Sequence, residues 1–454
     1  MKPGSHATPT ARGAAALALG QAAGAFPDLH PAPLDAAGLD GRDTALALAI
    51  HRAALQRWLT IDFLLNHCLS QPMHALEPSL RGVLLSAGAQ ILFFDRLPVH
   101  AVVDESVQLT RQMVRPAATG LVNAVLRRLA GLVRERLPQQ TWAPAADRLP
   151  LTQGVLVLNE PVLPDPKQFE AHLSVATSHP AELIRHWLDQ FGPQRTLALC
   201  LHDMQTPPTI VAMEAGFVLE DPGQGWPGLC AKPHAEPGFV VWDGNHEELI
   251  RFLSENPQRR VQDPGAAAAV QATADLAPQV IVDYCAGRGT KTRQLTALHP
   301  GAQVLASDPD KARRTDLRAA AAGLKNVRIL EPAEVRKLPR HEADLLVLDV
   351  PCSNTAALAR RPEARYRFSP ATLGALVALQ RDIIESAAPL LKPGGHMLYT
   401  TCSLEEQENG RQTRWIAAKL RAKVVREQLL LPASAGANPA AYHDGGYHAV
   451  VRLP

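Results

Sequence analysis

The sequence predicts a multidomain protein: an all-α helical bundle, a small α+β insert, and a doubly wound α/β domain toward the C-terminal end. Three observations lead there. Up to about residue 137, apolar residues recur at three- and four-residue spacing, the period of helices that bury one face. From Leu137 to about Pro180 there are seven prolines and little periodicity, which reads as a linker with one hairpin. Beyond about residue 264, short apolar runs alternate with helical stretches, as parallel strands joined by crossover helices do. A chain of 454 residues is also too long for one ordinary core. The expected divisions are 1–137, 138–263 and 264–454.

The helical runs are "ARGAAALALGQAAGAF", "DTALALAIHRAALQRWLTIDFLLNHCL", "PSLRGVLLSAGAQILFF", "VHAVVDESVQLTRQMV" and "ATGLVNAVLRRLAGLVRERL", parted by short Pro or Gly breaks. Such runs make a bundle. From Ser106 to Pro138, Arg111, Arg115, Arg127, Arg128, Arg134 and Arg136 face a single acid, Glu135. A local basic face of that kind attracts phosphates, although the net charge of +2 argues nothing by itself. In the insert, the helix "AELIRHWLDQF" is followed by the strand candidates "TIVAM" and "FVVW". The last domain carries strands at 279–285, 302–308, 326–330, 343–349, 395–402 and 447–453.

Composition excludes several classes. Hydrophobic residues at 46% and charged residues at 20% are a soluble balance, and no run approaches the ~20 apolar residues of a membrane span. The N-terminal Ala/Leu run reads as an amphipathic helix rather than a signal, so the cytoplasm is expected; the chain is also expected to be a monomer. Cys68, Cys200, Cys230, Cys285, Cys352 and Cys402 form no C-x-x-C pair. That argues against a disulfide framework or a zinc site, and the 17 histidines show no ligand spacing.

In open α/β sheets, ligands bind beyond the carboxyl ends of the strands. The first such end is "DYCAGRGTKT" (283–292), where Gly287 and Gly289 let backbone approach a ligand at a helix N-terminus. The second is Asp308, 21 residues after Gly287, where an acid accepts hydrogen bonds from ribose hydroxyls. Together they point to an adenosine-containing cofactor, a dinucleotide or S-adenosylmethionine. Two further strand ends carry thiols, Cys352 behind Asp349 and Cys402 behind Thr400-Thr401, and both should face one crevice. Paired thiols suit attack on carbon 6 of cytosine. The adduct makes carbon 5 nucleophilic toward a methyl group, and an acid such as Asp349 stabilises the charge that develops.

The stretches "DYCAGRGTKT", "SDPD", "LDVPCSNT", "RRPEARYR", "LLKPGGHMLYTTCSLEEQEN" and "DGGYHAVVRL" resemble the motif set of the RNA cytosine-5 methyltransferases of the RsmB/Sun type. "DRLPVHAVVDESVQL" and "GLVNAVLRRL" are similar to the NusB-like helical RNA-binding domain that the ribosomal-RNA subgroup carries in front of its Rossmann-like catalytic domain. The resemblance implies a 5-methylcytosine product in small-subunit ribosomal RNA and S-adenosylmethionine as cofactor. It makes Cys402 the attacking nucleophile, Cys352 the thiol that aids release, and Asp349 the contact to the base. It places Cys285, Ala286, Gly287, Arg288, Gly289, Thr290 and Lys291 around the methionine end of the cofactor, Asp308 at its ribose and Glu331 on its adenine side. Arg360, Arg361, Arg365 and Arg367 become candidate RNA phosphate contacts, with Tyr366 among them to stack on an unpaired base.

The chain departs from the family pattern at Gly287, Arg288 and Thr290 in the glycine loop and at Asn354 and Ala356 after Cys352. A left-handed backbone at Ala356 would be strained. The competing readings are a non-catalytic RNA-binding or ribosome-assembly protein that keeps the fold, which those departures favour, and an oxidoreductase on a nucleotide-binding fold.

Overall fold

The computed structural model describes residues 10–214, 230–436 and 438–454; residues 215–229, part of the expected insert, lie outside the described residues. By contact the chain falls into two units. The first runs as far as Thr206 and includes Leu358–Ser369; the second comprises Pro207–Ala357 and Pro370–Pro454.

The first unit begins with six helices: α1 (Ala11–Ala25), α2 (Gly41–Gln56), α3 (Trp58–Cys68), α4 (Pro78–Phe93), α5 (Val99–Met113) and α6 (Thr119–Leu132). Thr10 and Asp40 cap α1 and α2 by accepting a backbone N–H from the third residue beyond, and Pro78 sits in the first turn of α4, where its missing N–H costs nothing. The long second run breaks at Arg57, whose φ of −117° and ψ of 19° end one helix and open the next. Helix α4 is buried on every side from Val83 to Leu92 and forms the centre of the bundle. Helix α1 crosses it on small residues: a Cβ added at Gly82 would stand 2.3 Å from the Ala16 carbonyl oxygen and 2.5 Å from the Gly20 nitrogen. Backbone cannot yield as a side-chain tip can. Gly82→Ala is therefore expected to destabilise this unit by about 1–3 kcal/mol, read as a lower midpoint in urea with an unchanged slope.

The helical unit does not stop at residue 137. The end of the fifth run forms a strand, β1 (Val133–Leu137), in place of the expected helix. It pairs antiparallel with β3 (Val155–Leu158), whose other edge takes β2 (Arg148–Pro150). The four residues of β3 are fully buried, so sheet pairing outweighs the helical preference of "RERL". Two more helices follow, α7 (Phe169–Thr177) and α8 (Ala181–His202), the latter kinked at Gly192 and Pro193. Helix α7 lies in the stretch expected to be linker.

The second unit opens with a four-stranded antiparallel sheet in the order β5 (Ala231–Pro233), β6 (Phe239–Trp242), β4 (Thr209–Ala212), β7 (Arg260–Val261). Helix α9 (His246–Glu255), started by an Asn245 and Glu248 capping box, packs Phe252 into its core of Val211, Val240 and Trp242. Helix α10 (Pro264–Gln271), capped by Asp263, leads into the large sheet. There β8 (Val280–Asp283), α11 (Thr290–Leu298), β9 (Gln303–Ala306), α12 (Lys311–Ala320), β10 (Val327–Ile329), α13 (Pro332–Val335) and β11 (Ala343–Asp349) alternate. They are followed by α14 (Pro370–Ala387), β12 (Leu391–Thr401), α15 (Gly410–Leu420), β13 (Lys423–Leu430) and β14 (Gly446–Arg452).

The strand order is β10-β9-β8-β11-β12-β14-β13. The first five run parallel, and β14 returns antiparallel between β12 and β13. The chain winds outward from β8 to β10, then crosses back to β11. The switch point therefore lies between β8 and β11, where a ligand crevice is expected. In register, Asp283 aligns with Ala306 and with Val347, and Asp349 aligns with Thr400, so the strand ends read for chemistry share one rim. No helix of the described residues is long and apolar enough to cross a membrane.

Candidate active site

At the end of β8 the chain turns on two left-handed glycines, Gly287 at φ +56° and Gly289 at φ +90°, and enters α11 at Thr290. These two glycines supply the turn, although Arg288 and Thr290 differ from the family pattern. A Cβ at Gly287 would meet nothing within 4 Å. The Gly287 N–H donates to Oδ2 of Asp308 at 3.0 Å and the Asp310 N–H to Oδ1 at 2.9 Å. Two backbone donors thus fix a buried carboxylate just past β9. Arg288 points outward to Asp316 at 3.3 Å. The Cys285 thiol is pushed up by burial and by Asp283, Asp349 and Asp308, which leaves it a small lining group rather than a nucleophile. Glu331, after β10, already pairs with Arg314 at 2.8 Å and with Arg318.

Lys291 and Asp349 close the opposite side of the switch point, with Nζ 2.7 Å from Oδ2. Burial opposes the Lys291 charge, but the Asp349 pair outweighs it and the ammonium is held above its usual range. Asp283, absent from the residues the sequence singled out, is fully buried, with Oδ2 accepting from Thr292 at 2.7 Å and Oδ1 left without a partner. Burial raises its pKa to about 7 against the Thr292 hydrogen bond. An unpartnered buried acceptor, a fixed carboxylate and a glycine turn suit a cofactor that bears positive charge and a ribose.

The Asp283 shift has a direct consequence for stability. The folded state binds this proton more tightly than the unfolded chain, whose value is near 3.8. Stability is therefore fullest below that range and falls as pH rises through about 7. Asp283→Asn removes the loss, so its melting temperature relative to the parent protein should climb from pH 4 to pH 8. A constant difference across that range would refute the assignment.

The thiols meet. Cys352 Sγ and Cys402 Sγ are 3.1 Å apart, and Cys402 Sγ donates to Oδ1 of Asn354 at 3.1 Å. The Asn354 amide is oriented by its Nδ2, which donates to the Cys352 carbonyl at 2.8 Å. Asn354, not Ala356, takes the left-handed backbone, with φ +62°, which asparagine tolerates better than most residues. Ala356 is fully buried, its N–H bonded to the Cys402 carbonyl at 3.0 Å. The contact with Cys402, burial and the nearby Glu408 charge push the Cys352 thiol well above its usual range.

Beneath both thiols lies a group the sequence reading did not single out. The fully buried Glu408 accepts from the Ser353 N–H at 3.0 Å, Ser353 Oγ at 2.5 Å, Ser403 Oγ at 2.6 Å and Gln380 Nε2 at 2.8 Å. Asn409 accepts from Thr401 Oγ1 at 2.6 Å and donates to the Ser403 carbonyl at 2.8 Å. The signal was present in "TTCSLEEQEN", where an acid and an amide follow a thiol at a strand end. Nothing local marks them as buried.

The arginine loop corrects the expectation. Residues Leu358–Ser369 belong to the first unit, and Arg365 is fully enclosed there. Its Nη2 donates to the Asp203 carbonyl at 3.1 Å, and its Nη1 to those of Gln56 and Ser178 at 3.3 Å. Tyr366 is buried too, its hydroxyl donating to the Leu55 carbonyl at 2.6 Å, so it has no face for a base. Arg367 is half-buried and bonds the Leu29 carbonyl and His30. Arg361 is exposed and Arg360 half-exposed. On the helical basic face Arg111, Arg115, Arg127, Arg128 and Arg134 are exposed, while Arg136 is half-buried on the carbonyls of Ile91 and Leu92. Among the described residues no group of three or more His, Cys, Asp or Glu could hold a metal ion.

Comparison with known proteins identifies the two parts of the chain. Residues 272–439 match the family described as 16S rRNA methyltransferase RsmB/F, and residues 11–131 match the NusB family. The chain is 30% identical over 390 residues to the ribosomal RNA small subunit methyltransferase B of Xanthomonas campestris pv. campestris, covering 82% of this chain and 79% of that one. It is 28% identical over 383 residues to the protein of the same name from Vibrio cholerae, covering 82% and 81%. Among solved structures, the crystal structure of PH0851 shares the fold with a TM-score of 0.69 at 20% identity, over 99% of this chain and 100% of that one.

Proposed function

This chain belongs to the RsmB/F family of 16S ribosomal RNA methyltransferases, and on that premise we propose that it forms 5-methylcytosine in small-subunit ribosomal RNA through a covalent adduct on Cys402. The observation that carries the reading is the pair of sulfurs 3.1 Å apart at neighbouring strand ends, beside Asp349. S-adenosylmethionine, held by the Cys285–Lys291 turn, Asp283 and Asp308, supplies an electrophilic methyl group when bound. The assignment of Glu331 to its adenine side is part of the same proposal.

The residues of the chain divide the remaining work. The Cys402 thiolate adds to carbon 6 of the cytosine, and the electrons of the C5–C6 double bond move to carbon 5. Lys291 holds one oxygen of Asp349, leaving Oδ1 to accept from the amino group of the base and, when it carries a proton, to donate it to ring N3, which stabilises the negative charge that attack develops. After methylation the carbon 5 proton leaves to solvent, the C5–C6 double bond returns and the S–C6 bond breaks. The contact with Cys402, burial and Glu408 favour the protonated Cys352 thiol, the form that release requires. Its S–H is placed to donate to the sulfur that departs, which speeds release. The exposed arginines of the helical face and Arg361 supply sequence-independent phosphate contacts, and a base held in a duplex must be flipped out to reach Cys402.

Bisulfite mapping of ribosomal RNA from cells with and without the protein tests the proposal. Loss of one 5-methylcytosine from small-subunit RNA is expected. An unchanged map, with methylation lost at another atom or in another RNA, would overturn it.

A further inference from the structure

The two thiols sit on loops that leave different strands, and the spacing between them has to be held by something both loops share. Each cysteine is followed by a serine, and the hydroxyls of Ser353 and Ser403 are 3.0 Å apart. Both donate to the same oxygen, Oε2 of Glu408, at 2.5 and 2.6 Å. The other oxygen takes the Ser353 N–H and Gln380 Nε2, and that same Gln380 amide donates to the Pro351 carbonyl at 2.9 Å. The Cys352 loop is thereby gripped on both sides of its thiol. Tyr399, on β12, closes the floor by donating to the Glu408 carbonyl at 2.7 Å.

We infer that Glu408 is the positioning residue of the two thiols: one buried carboxylate ties the loop after β11 to the loop after β12 and sets the Sγ–Sγ distance. This deepens the reading of Cys352 and Cys402 given above and rests on it. A buried carboxylate is costly unless its lone pairs are filled, and here four uncharged donors fill them. A neutral residue could join two serines. A carboxylate also places a negative charge under Cys352, which adds to the forces that keep that thiol protonated. Spacing and proton are then held by one fully buried group.

The spacing can be read without RNA or cofactor by closing the pair with diamide. The two thiols give up two electrons and two protons, the S–S bond forms, and the azo group of the reagent is reduced to a hydrazine. In the full-length parent protein, peptide mapping should find rapid Cys352–Cys402 closure. Glu408→Ala should slow it by about tenfold or more and lower kcat by about 10- to 100-fold with KM for RNA unchanged, the signature of misplaced reacting groups. Glu408→Gln keeps the shape and a bridge and should close near the parent rate. Closure of Glu408→Ala at the parent rate, or a raised KM with kcat kept, overturns the inference. If Glu408→Ala shows no thermal shift with S-adenosylhomocysteine and has therefore lost its fold, Ser403→Ala carries the test. It removes one donor and one tie, and parent-rate closure there is equally fatal. Failure of the bisulfite experiment would leave the crosslinking result standing, and the reverse also holds.

Discussion

Cys402→Ala is expected to lower methylation by at least about 10⁴-fold, the loss that follows removal of a catalytic nucleophile, and to leave no protein joined to RNA after denaturing electrophoresis. Cys352→Ala should behave in the opposite way on the gel. Attack proceeds, but the departing sulfur loses the S–H donor that stood 3.1 Å away, so the adduct accumulates while turnover falls by about 10²- to 10⁴-fold. The two sulfurs are chemically alike and stand in contact. The contact between them is mutual, and burial and Glu408 add to it in favouring the protonated form of Cys352. A trapped adduct with Cys402→Ala and none with Cys352→Ala would reverse the roles.

Arg365→Ala is expected to cost the first unit about 3 kcal/mol or more, because carbonyls of Gln56, Thr177 and Ser178 lose a buried donor and a large side chain leaves a void. Relief of repulsion with Arg57, which Arg365 pushes down alongside burial, offsets part of that loss. The lost packing and hydrogen bonds are larger, and a fall of roughly 6–12 °C in melting temperature should follow. Arg361→Ala, at an exposed position, should leave the melting temperature in place and reduce the salt dependence of RNA binding by about one charge. If Arg365→Ala weakened RNA binding with no loss of stability, its role as an internal strut would be wrong.

These two arginines show how far local reading carries. In "RRPEARYR" each guanidinium looks equally available, and charge near a catalytic motif suggests phosphate. Which of them faces water depends on where residues 358–369 pack, and that is decided by partners about 160 to 310 positions away, at Gln56, Ser178 and Asp203. Helix α7 and strand β1 were illegible for a related reason. Prolines surround the first, and the second is drawn from helix to strand by a fully buried neighbour, β3. Strand β13 exposes much of its length at the sheet edge, so it never produced the apolar run by which the central strands announced themselves.

By itself the amino-acid sequence determined the helical front, the doubly wound domain, the acids at Asp308 and Asp349, and the two thiols as strand-end residues. Each of these is a local pattern: helical period, buried parallel runs, and the residue where a run stops. Only the tertiary structure decided that the sulfurs stand in contact, that Asn354 takes the left-handed backbone in place of Ala356, and that Glu408 lies under both cysteine loops. Contact, burial and proton affinity depend on what other segments place around a side chain, and no segment carries that information alone.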